Sequence, residues 1–543
     1  MSDYDIIIIG SGAGGLSAGV ALAQAGQRVL ICEQHDVPGG WCHSFTLEGY
    51  RFSPGVHYIG GFHPGGRMRK IYEGLGISQD ITFCELNPDG FDHIFIGKKR
   101  FDIPKGKENY IARLKDRFPQ EKKGIGDLFA MMDNINAELN DLGKIKSPIE
   151  ALTAPIRARH VLRWGVTSAE TLLNKYISDP LLKAILVGQS GDHGLPPSMV
   201  SAPVHTALMA HYFEGGYYPL GGGFAIPRAF VRVLKRAGGE ILLQTTVAQI
   251  LLTGNRAVGV RLADGREISA THIISNADPG VTFEKLIGRD RLNGRLRRKL
   301  DKMTYSTSAL SLFFAVDMDL RAAGLDSGNY WFYPDANLEK HYSDGQTDAV
   351  LRQNKPSAMF LTATTLKDPS KMHSGHHTLE SFAFVNYKPF QKWANQPGGD
   401  RDWEYQQLKE RLMGGMLARL DEQVPGISQH VVFKDLGTPI TNQQYINATA
   451  GNLYGSNKTV WQVGPFAFNV KTNFEGLWMC GASTLSHGVA GATASGLAVA
   501  RQILDCRISD MLQQNGPALQ VYPSEDISQW PDRLQKKIAK QNA

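Results

Sequence analysis

Apolar and polar positions between Asp5 and Glu33 follow a fixed order: an apolar run, a glycine turn, an Ala- and Leu-rich stretch, a second apolar run and an acid. Ile6–Ile9 is β-branched throughout and stops at glycine, which predicts a strand buried on both faces. Gly10, Gly12 and Gly15 stand in the G-x-G-x-x-G spacing. Gly10 permits the tight turn, Gly12 lets backbone approach a pyrophosphate, and Gly15 lets the helix pack on the strand. The helix that follows ends at Gly26, a C-cap. Its start, with Ala13 and Gly14, presents unpaired N–H groups and a partial positive charge to a diphosphate. A second strand, Arg28–Ile31, leads to Glu33, whose carboxylate can accept hydrogen bonds from both ribose hydroxyls of an adenosine. Strand, triplet, helix, strand and acid arrive in the required order, which separates this stretch from an α/β unit with a tight turn and no ligand.

Pro38-Gly39-Gly40-Trp41-Cys42-His43-Ser44-Phe45 comes next, then Gly49 to Gly61 with Gly55-Val56-His57-Tyr58-Ile59-Gly60 inside it. A nicotinamide dehydrogenase would pass straight into another long helix and strand. A Gly-Gly pair soon after the acid, followed by a short extended segment, suits a flavin, because the backbone can run beside a longer and stiffer cofactor. Helical spacing marks Gly126–Leu142, Ala169–Val187 and Ala225–Ala237, and a short strand is expected at His93–Ile96. Glu240–Val247 reads as a strand, and Asp264-Gly265 joins Ala257–Leu262 to Glu267–Ser269 as a hairpin. Strands are expected at Ser306–Val316, Ala358–Thr364 and Thr378–Val385, and a helix at Trp403–Leu420. A last strand ends at Gly481, and a small-residue helix runs from Gly488 to Leu504.

These segments carry a resemblance. The chain resembles the flavoprotein family of phytoene desaturases, carotenoid cis–trans isomerases and retinol saturases, from Asp5 to about Leu504. Gly39–Phe45 and Gly55–Gly60 most resemble the retinol saturase and carotenoid isomerase branch. Trp41 stands where the family usually has arginine after Gly-Gly, and Ser53-Pro54 where it commonly has an acid. The resemblance implies an α/β fold: a Rossmann-like FAD-binding domain of the amine oxidase/phytoene desaturase type with an inserted α+β substrate domain. On it, residues 1–70, 215–290 and 465–510 form the cofactor domain, 71–214 and 291–464 the substrate domain, and 511–543 a polar tail. It implies that Gly39, Gly40 and Val56 run along the flavin and that Val247 meets the adenine. Gly481 would meet the ribityl and diphosphate, and Ala490, Gly491 and Ala492 would turn N–H groups toward the pyrimidine end of the ring.

Composition narrows the partners. The 543 residues are too many for one ordinary core. A net charge of +6 without a dense Lys/Arg block gives no case for nucleic acid. Cys32, Cys42, Cys84, Cys480 and Cys506 form no C-x-x-C pair, so neither a zinc site nor a disulfide framework is expected, and a reducing cytosol fits. His205 and His211, six apart, share a helix face poorly, and no metal is expected. No apolar run reaches the roughly 20 residues that span a bilayer. Ile149–Ile177, with Arg157, Arg159, Arg163 and Lys175 among Leu152, Ile156, Leu162, Trp164, Leu172 and Leu173, fits either an ordinary surface helix or one lying on anionic lipid. The resemblance favours the second, hence a cytoplasmic protein peripheral on the inner face of a membrane.

The chemistry then belongs to FAD, with the protein supplying position and electrostatics. A second nucleotide fingerprint is missing, so electrons would enter by transient contact with NAD(P)H or from another donor. His57 and Tyr58 lie, by the resemblance, where the chain passes the ring. Either can supply the proton that accompanies hydride delivery to a polyene, or both can simply wall the ring. The expected function is retinol saturase-like reduction of a carbon–carbon double bond in a hydrophobic isoprenoid. Carotenoid desaturation and cis–trans isomerisation use the same flavin and pocket. From other classes, a flavin-containing lipid-binding protein without turnover and an amine oxidase are the rivals.

Overall fold

A computed structural model describes residues 2–142, 157–398 and 401–542. At the centre of its first sheet lies β1 (Tyr4–Ile9), paired in parallel with β2 (Val29–Cys32) on one side and β12 (Glu267–Ser275) on the other. Beyond β2 comes β9 (Glu240–Leu242), and β18 (Leu477–Met479) pairs in parallel with β12. The antiparallel strands β10 (Val247–Thr253) and β11 (Arg256–Leu262) extend the sheet from β12 through the expected hairpin. Register places Ile31 and Ile274 on either side of Ile8. Ile6, Ile8, Ile31 and Ile274 face one apolar layer, and Ile7, Ile9, Leu30 and Ile273 face another built from Val281, Phe283, Leu286 and Leu296. A strand covered on both sides requires an unbroken apolar run, which is why Ile6–Ile9 has no polar member.

The helices used below are α1 (Ala13–Gln24), α2 (Lys122–Leu142), α3 (Ala202–Tyr212), α4 (Ala225–Arg236), α5 (Trp403–Asp421), α6 (Pro439–Ile446), α7 (Gly488–Leu504) and α8 (Asp532–Asn542). α1 and α7 approach closely because small residues meet. A methyl group at Gly496 would lie 2.1 Å from the Gly14 carbonyl oxygen. Ser17 Oγ sits 3.0 Å from both Gly14 O and Thr493 O, tying the two helices together.

The second sheet runs β17 (Val431–Gly437), β13 (Ser308–Val316), β16 (His377–Val385), β15 (Met359–Ala363), β14 (Asn329–Tyr333), β6 (Asp92–Ile96), β7 (Lys99–Ile103). Leu310, Leu312, Phe314 and Val316 of β13 pack in one cluster with Leu408, Leu412, Met416 and Leu420 of α5. On the opposite face Ala309 and Ser311 look into the cavity described below. A hairpin of β3 (Phe45–Leu47) and β4 (Tyr50–Phe52) packs on Phe313 and Ala315.

Three expectations change. Glu240–Val247 is two strands, not one: Gln244 adopts φ 50°, and the N–H groups of Gln244 and Thr245 turn away to His35 O and Glu33 O. The helix at 169–187 breaks into Ala169–Tyr176 and Pro180–Leu186, with Asp179 capping the second, because Pro180 cannot continue the first. Residues 511–543, expected as a polar tail with Trp530–Lys540 either a short basic helix or loose, pack on the fold, and α8 is that helix. β19 (Gln520–Pro523) pairs with β5 (Thr82–Glu85), which also pairs with β8 (Tyr217–Pro219), and Trp530 and Ile538 bury against Cys84.

Of the stretch at 149–177, residues 149–156 lie outside the described residues. Beyond them Trp164, Leu172 and Leu173 point into the core, so the tryptophan is not interfacial. Leu162 and Val166 remain exposed, at 58% each. No helix among the described residues is long and apolar enough to cross a membrane.

The close helix contact is testable. Gly496→Ala must push α7 away from α1 and should lower stability by about 1–3 kcal/mol. Gly414→Ala, at a helical site in α5 with no atom near the added methyl, should instead raise stability by about 0.4–1 kcal/mol. Thermal unfolding of both variants checks the pair.

Candidate functional site

A single cavity of about 400 Å³ begins at the glycine turn and ends among aromatic side chains of the second sheet. Gly10, Gly12, Ala13 and Glu33 line its first part, with Gly39 and Gly40 opposite. Val247, Gly481, Ala490 and Ala492 line it as well, as do His57 and Tyr58. Gly14, Gly15, Val56 and Gly491 sit behind the wall, each for a packing reason. A methyl at Gly15 would lie 2.2 Å from Gly10 O, at Gly14 2.8 Å from Gly481 N, and at Gly491 2.6 Å from the Ser486 carbonyl carbon. Val56 is buried against Gly223.

Two helices that start at the cavity have no side-chain cap. Gly12 precedes α1 and His487 precedes α7 without a side-chain hydrogen bond to the first turn. Their leading N–H groups are left for an anion or a polar ring edge. With Gly12 and Gly40 offering no side chain between them, this cradle fits a dinucleotide diphosphate.

Glu33 is more constrained than its sequence position suggests. Its Oε2 accepts Ser11 N at 2.8 Å and Ser11 Oγ at 2.6 Å, and its Oε1 accepts His35 N at 2.9 Å. Gly39 N donates in turn to Ser11 Oγ at 3.1 Å. The carboxylate thus knits the glycine turn to the Gly-Gly pair. With three of its roughly four acceptor positions used, it keeps room for one ribose hydroxyl rather than two.

At the other end, His57 Nδ1 lies 3.1 Å from Glu380 Oε2, and its ring packs 5.1 Å from Phe360 and 5.8 Å from Phe382. Ser53 N donates to the other oxygen of Glu380 at 2.7 Å. An acid of β16 thus stands beside Ser53. Tyr58 stacks on Tyr212 at 4.4 Å and donates its hydroxyl to Asp192 Oδ2 at 2.9 Å. Burial and the neighbouring carboxyls hold the Tyr58 phenol well above its usual range. Burial, with Asp92 close by, pushes Asp192 up to about 8, and burial lifts Asp92 to about 6 although Gln189, Asn329 and Trp331 donate to it. His487 is pushed down to about 3 and His205 to about 4, again by burial. No group of histidine, cysteine and carboxylate side chains able to hold a metal ion occurs among the described residues.

Asn276, Glu380 and Asp192 were not singled out as site residues from sequence. Glu380 did carry a signal, as the one charged residue inside the apolar run Thr378–Val385. Asp192 lies in a glycine-rich turn beside His193, a weaker cue.

A βαβ unit with a bare helix start, a buried acid and a second sheet closing one long cavity define an FAD-dependent oxidoreductase. The family model described as flavin containing amine oxidoreductase matches residues 13–504, and the chain belongs to that family. It is 30% identical over 532 residues to all-trans-retinol 13,14-reductase of Danio rerio, covering 93% of this chain and 86% of that protein. It is 28% identical to the chloroplastic prolycopene isomerase of Arabidopsis thaliana, covering 92% and 82%. Its fold is similar to that of an oxidoreductase from Methanosarcina mazei, with TM-score 0.64 and 17% identity over 91% of this chain and 99% of that one.

Removing the Glu33 carboxylate should loosen cofactor retention. Glu33→Ala is expected to weaken FAD binding by about 1–3 kcal/mol, read by titrating the apoprotein with FAD. Unchanged affinity would take Glu33 out of the site.

Proposed function

We propose that this protein reduces a carbon–carbon double bond of a hydrophobic polyene, in the manner of a retinol saturase. The carrying observation is the continuity of the cavity. One end is a backbone cradle suited to FAD, and the other is walled by Phe360, Phe382, Tyr212, Leu208 and Tyr454. Such a wall receives a flat, apolar conjugated chain by burying its surface and stacking on its faces. When bound, FAD supplies the two-electron chemistry. Gly10, Gly12, Ala13, Glu33, Gly39, Gly40, Val247, Gly481, Ala490 and Ala492 are the residues we assign to holding it. His57 and Tyr58 stand where the cradle gives way to the aromatic wall.

Similarity to a retinol 13,14-reductase supports reduction, and similarity to a prolycopene isomerase supports the redox-neutral alternative on the same substrate class. Electrons would reach the flavin from NAD(P)H in transient contact, since the chain offers one nucleotide fingerprint. Leu162 and Val166, exposed beside the exposed Arg159 and Arg163, would touch an anionic membrane from which the substrate is drawn.

The test is product analysis. Purified protein should be yellow and should release FAD on denaturation; release of a nicotinamide nucleotide alone would end the proposal. Chemically reduced holoprotein, incubated without oxygen with a panel of retinoids and carotenes, should return a product richer by two hydrogen atoms. A product of unchanged mass and altered double-bond geometry would establish isomerisation instead.

A further inference from the structure

Reduction of a polyene needs a proton as well as a hydride, and the cavity wall holds few groups that carry one near neutral pH. We propose that the Asp192 carboxyl is that proton donor, with Tyr58 as the residue that positions it. The assignment rests on the double-bond reduction argued above.

Asp192 ends the short turn Gly188–Asp192 and lines the same cavity as the flavin cradle. Its place is fixed from two sides. Tyr58 donates to its carboxyl at 2.9 Å, and His487 Nε2 donates to its backbone carbonyl at 2.7 Å. His487 precedes α7, so this bond ties Asp192 to the helix that starts at the cavity. Neither nearby ammonium group neutralises the carboxyl. Lys367 Nζ donates to His57 O at 2.7 Å and to Asn329 Oδ1 at 2.5 Å, and Lys458 Nζ donates to Ala482 O at 2.7 Å. A part-buried carboxyl on a cavity wall, with one donor and no cation bonded to it, is held toward the acid.

The other candidates fail on geometry or charge. Asp92 takes hydrogen bonds from Gln189, Asn329 and Trp331 and does not line the cavity. His487 spends its only proton on Asp192 O, and its buried Nδ1 has no partner. His193 is buried with both nitrogens unpartnered, and burial with the neighbouring His487, His205 and Lys458 keeps it neutral. Tyr58 and Tyr212 are phenols whose burial makes them still weaker acids. His211 and His43 also line the cavity, but burial pushes His211 down to about 4 and lowers His43; His57, paired with Glu380, is a further rival.

The step balances. In the proposed reduction the π bond of the substrate would break, and reduced FAD, when bound, would supply one carbon with a hydride (two electrons with a hydrogen) and be oxidised in doing so. The adjacent carbon takes the proton of Asp192, leaving a carboxylate that regains its proton from solvent water. The reactive form is the protonated one, so the rate should fall as pH rises through about 8, where the Asp192 proton is lost. Tyr58 bonds to the carboxylate more strongly than to the acid, so its removal should move that limb to higher pH.

Infrared difference spectra of holoprotein without substrate, taken across pH 6 to about 10, read the carboxyl directly. Wild type should show the carbonyl band of a protonated carboxyl that disappears near pH about 8, and Asp192→Asn should lack it. Asp192→Asn should also lower kcat by about 10²-fold or more with KM and FAD content kept, whereas Asp192→Glu should recover part of it. Tyr58→Phe should shift both the band and the kcat limb upward together. A missing band, or full kcat in Asp192→Asn with loss in His57→Gln, overturns the assignment and gives the proton to His57. A wild type inert toward every polyene, with the band present, overturns the reduction reading and the donor role with it.

Discussion

The side-chain amide of Asn276 is the point around which the cofactor end closes. Its Oδ1 accepts the Gly15 N–H at 3.1 Å and the Cys480 thiol at 3.4 Å, and its backbone N–H donates to Ile9 O at 2.9 Å. Methyl groups at Gly12, Gly14 and Gly481 would lie 2.6, 2.7 and 3.0 Å from the same amide. The glycines therefore do two things at once. They leave the turn open to the cavity, and they make room for the one side chain that fixes the turn's shape. Asn276 follows β12 directly, so the geometry of a loop at residues 10–15 depends on pairing with a strand some 260 residues later. An unsatisfied Gly15 N–H in that buried setting costs about 1–3 kcal/mol, enough to matter against the stability of a whole domain.

The two sheets are joined through the segment from Ser53 to Tyr58. Glu380 of β16 accepts from Ser53 N and pairs with His57, while Lys367 reaches His57 O. Lys371 donates to Tyr218 OH at 3.0 Å. These are buried charges held by hydrogen bonds, and breaking one partner leaves the other unsatisfied. That arrangement penalises sliding of the second sheet relative to the cradle. The cavity keeps one length and one direction because its middle wall is bonded to both halves.

How much of this was legible follows from how local each signal is. β1, α1, β2 and Glu33 occupy thirty residues with strict spacing, and the sequence pattern locates them nearly to the residue. α5 and α7 are long and periodic and were equally visible. Glu33 itself was legible as an acid at the right place, but not its three bonds to Ser11 and His35, which depend on the turn's three-dimensional path. The break at Gln244 was hidden because nothing in Leu243-Gln244-Thr245-Thr246, a stretch a strand can accommodate, signals a positive φ. Asn276, Glu380 and Asp192 gain their meaning only when β12, β16 and the 188–192 turn reach the cavity from distant parts of the chain. Trp164 misled for a related reason. A tryptophan among arginines reads as interfacial until the partner helix that covers it is known.

Charge is distributed along the cavity in a way that matches its two ends. At the glycine turn, uncapped helix starts meet the cavity, and the buried acid Glu33 is occupied by three donors. At the aromatic end burial holds His193 and His487 neutral and shifts the carboxyls of Asp92 and Asp192 toward their protonated forms. The charged groups at that end, Glu380 and Lys367, are tied up in hydrogen bonds to Ser53, His57 and Asn329. The same burial raises the strength of any charge that develops during reaction. A polyene carries no charged handle by which to be oriented. Shape and stacking must position it, and the polar groups at its flank are then free to act on the double bond rather than to hold the molecule.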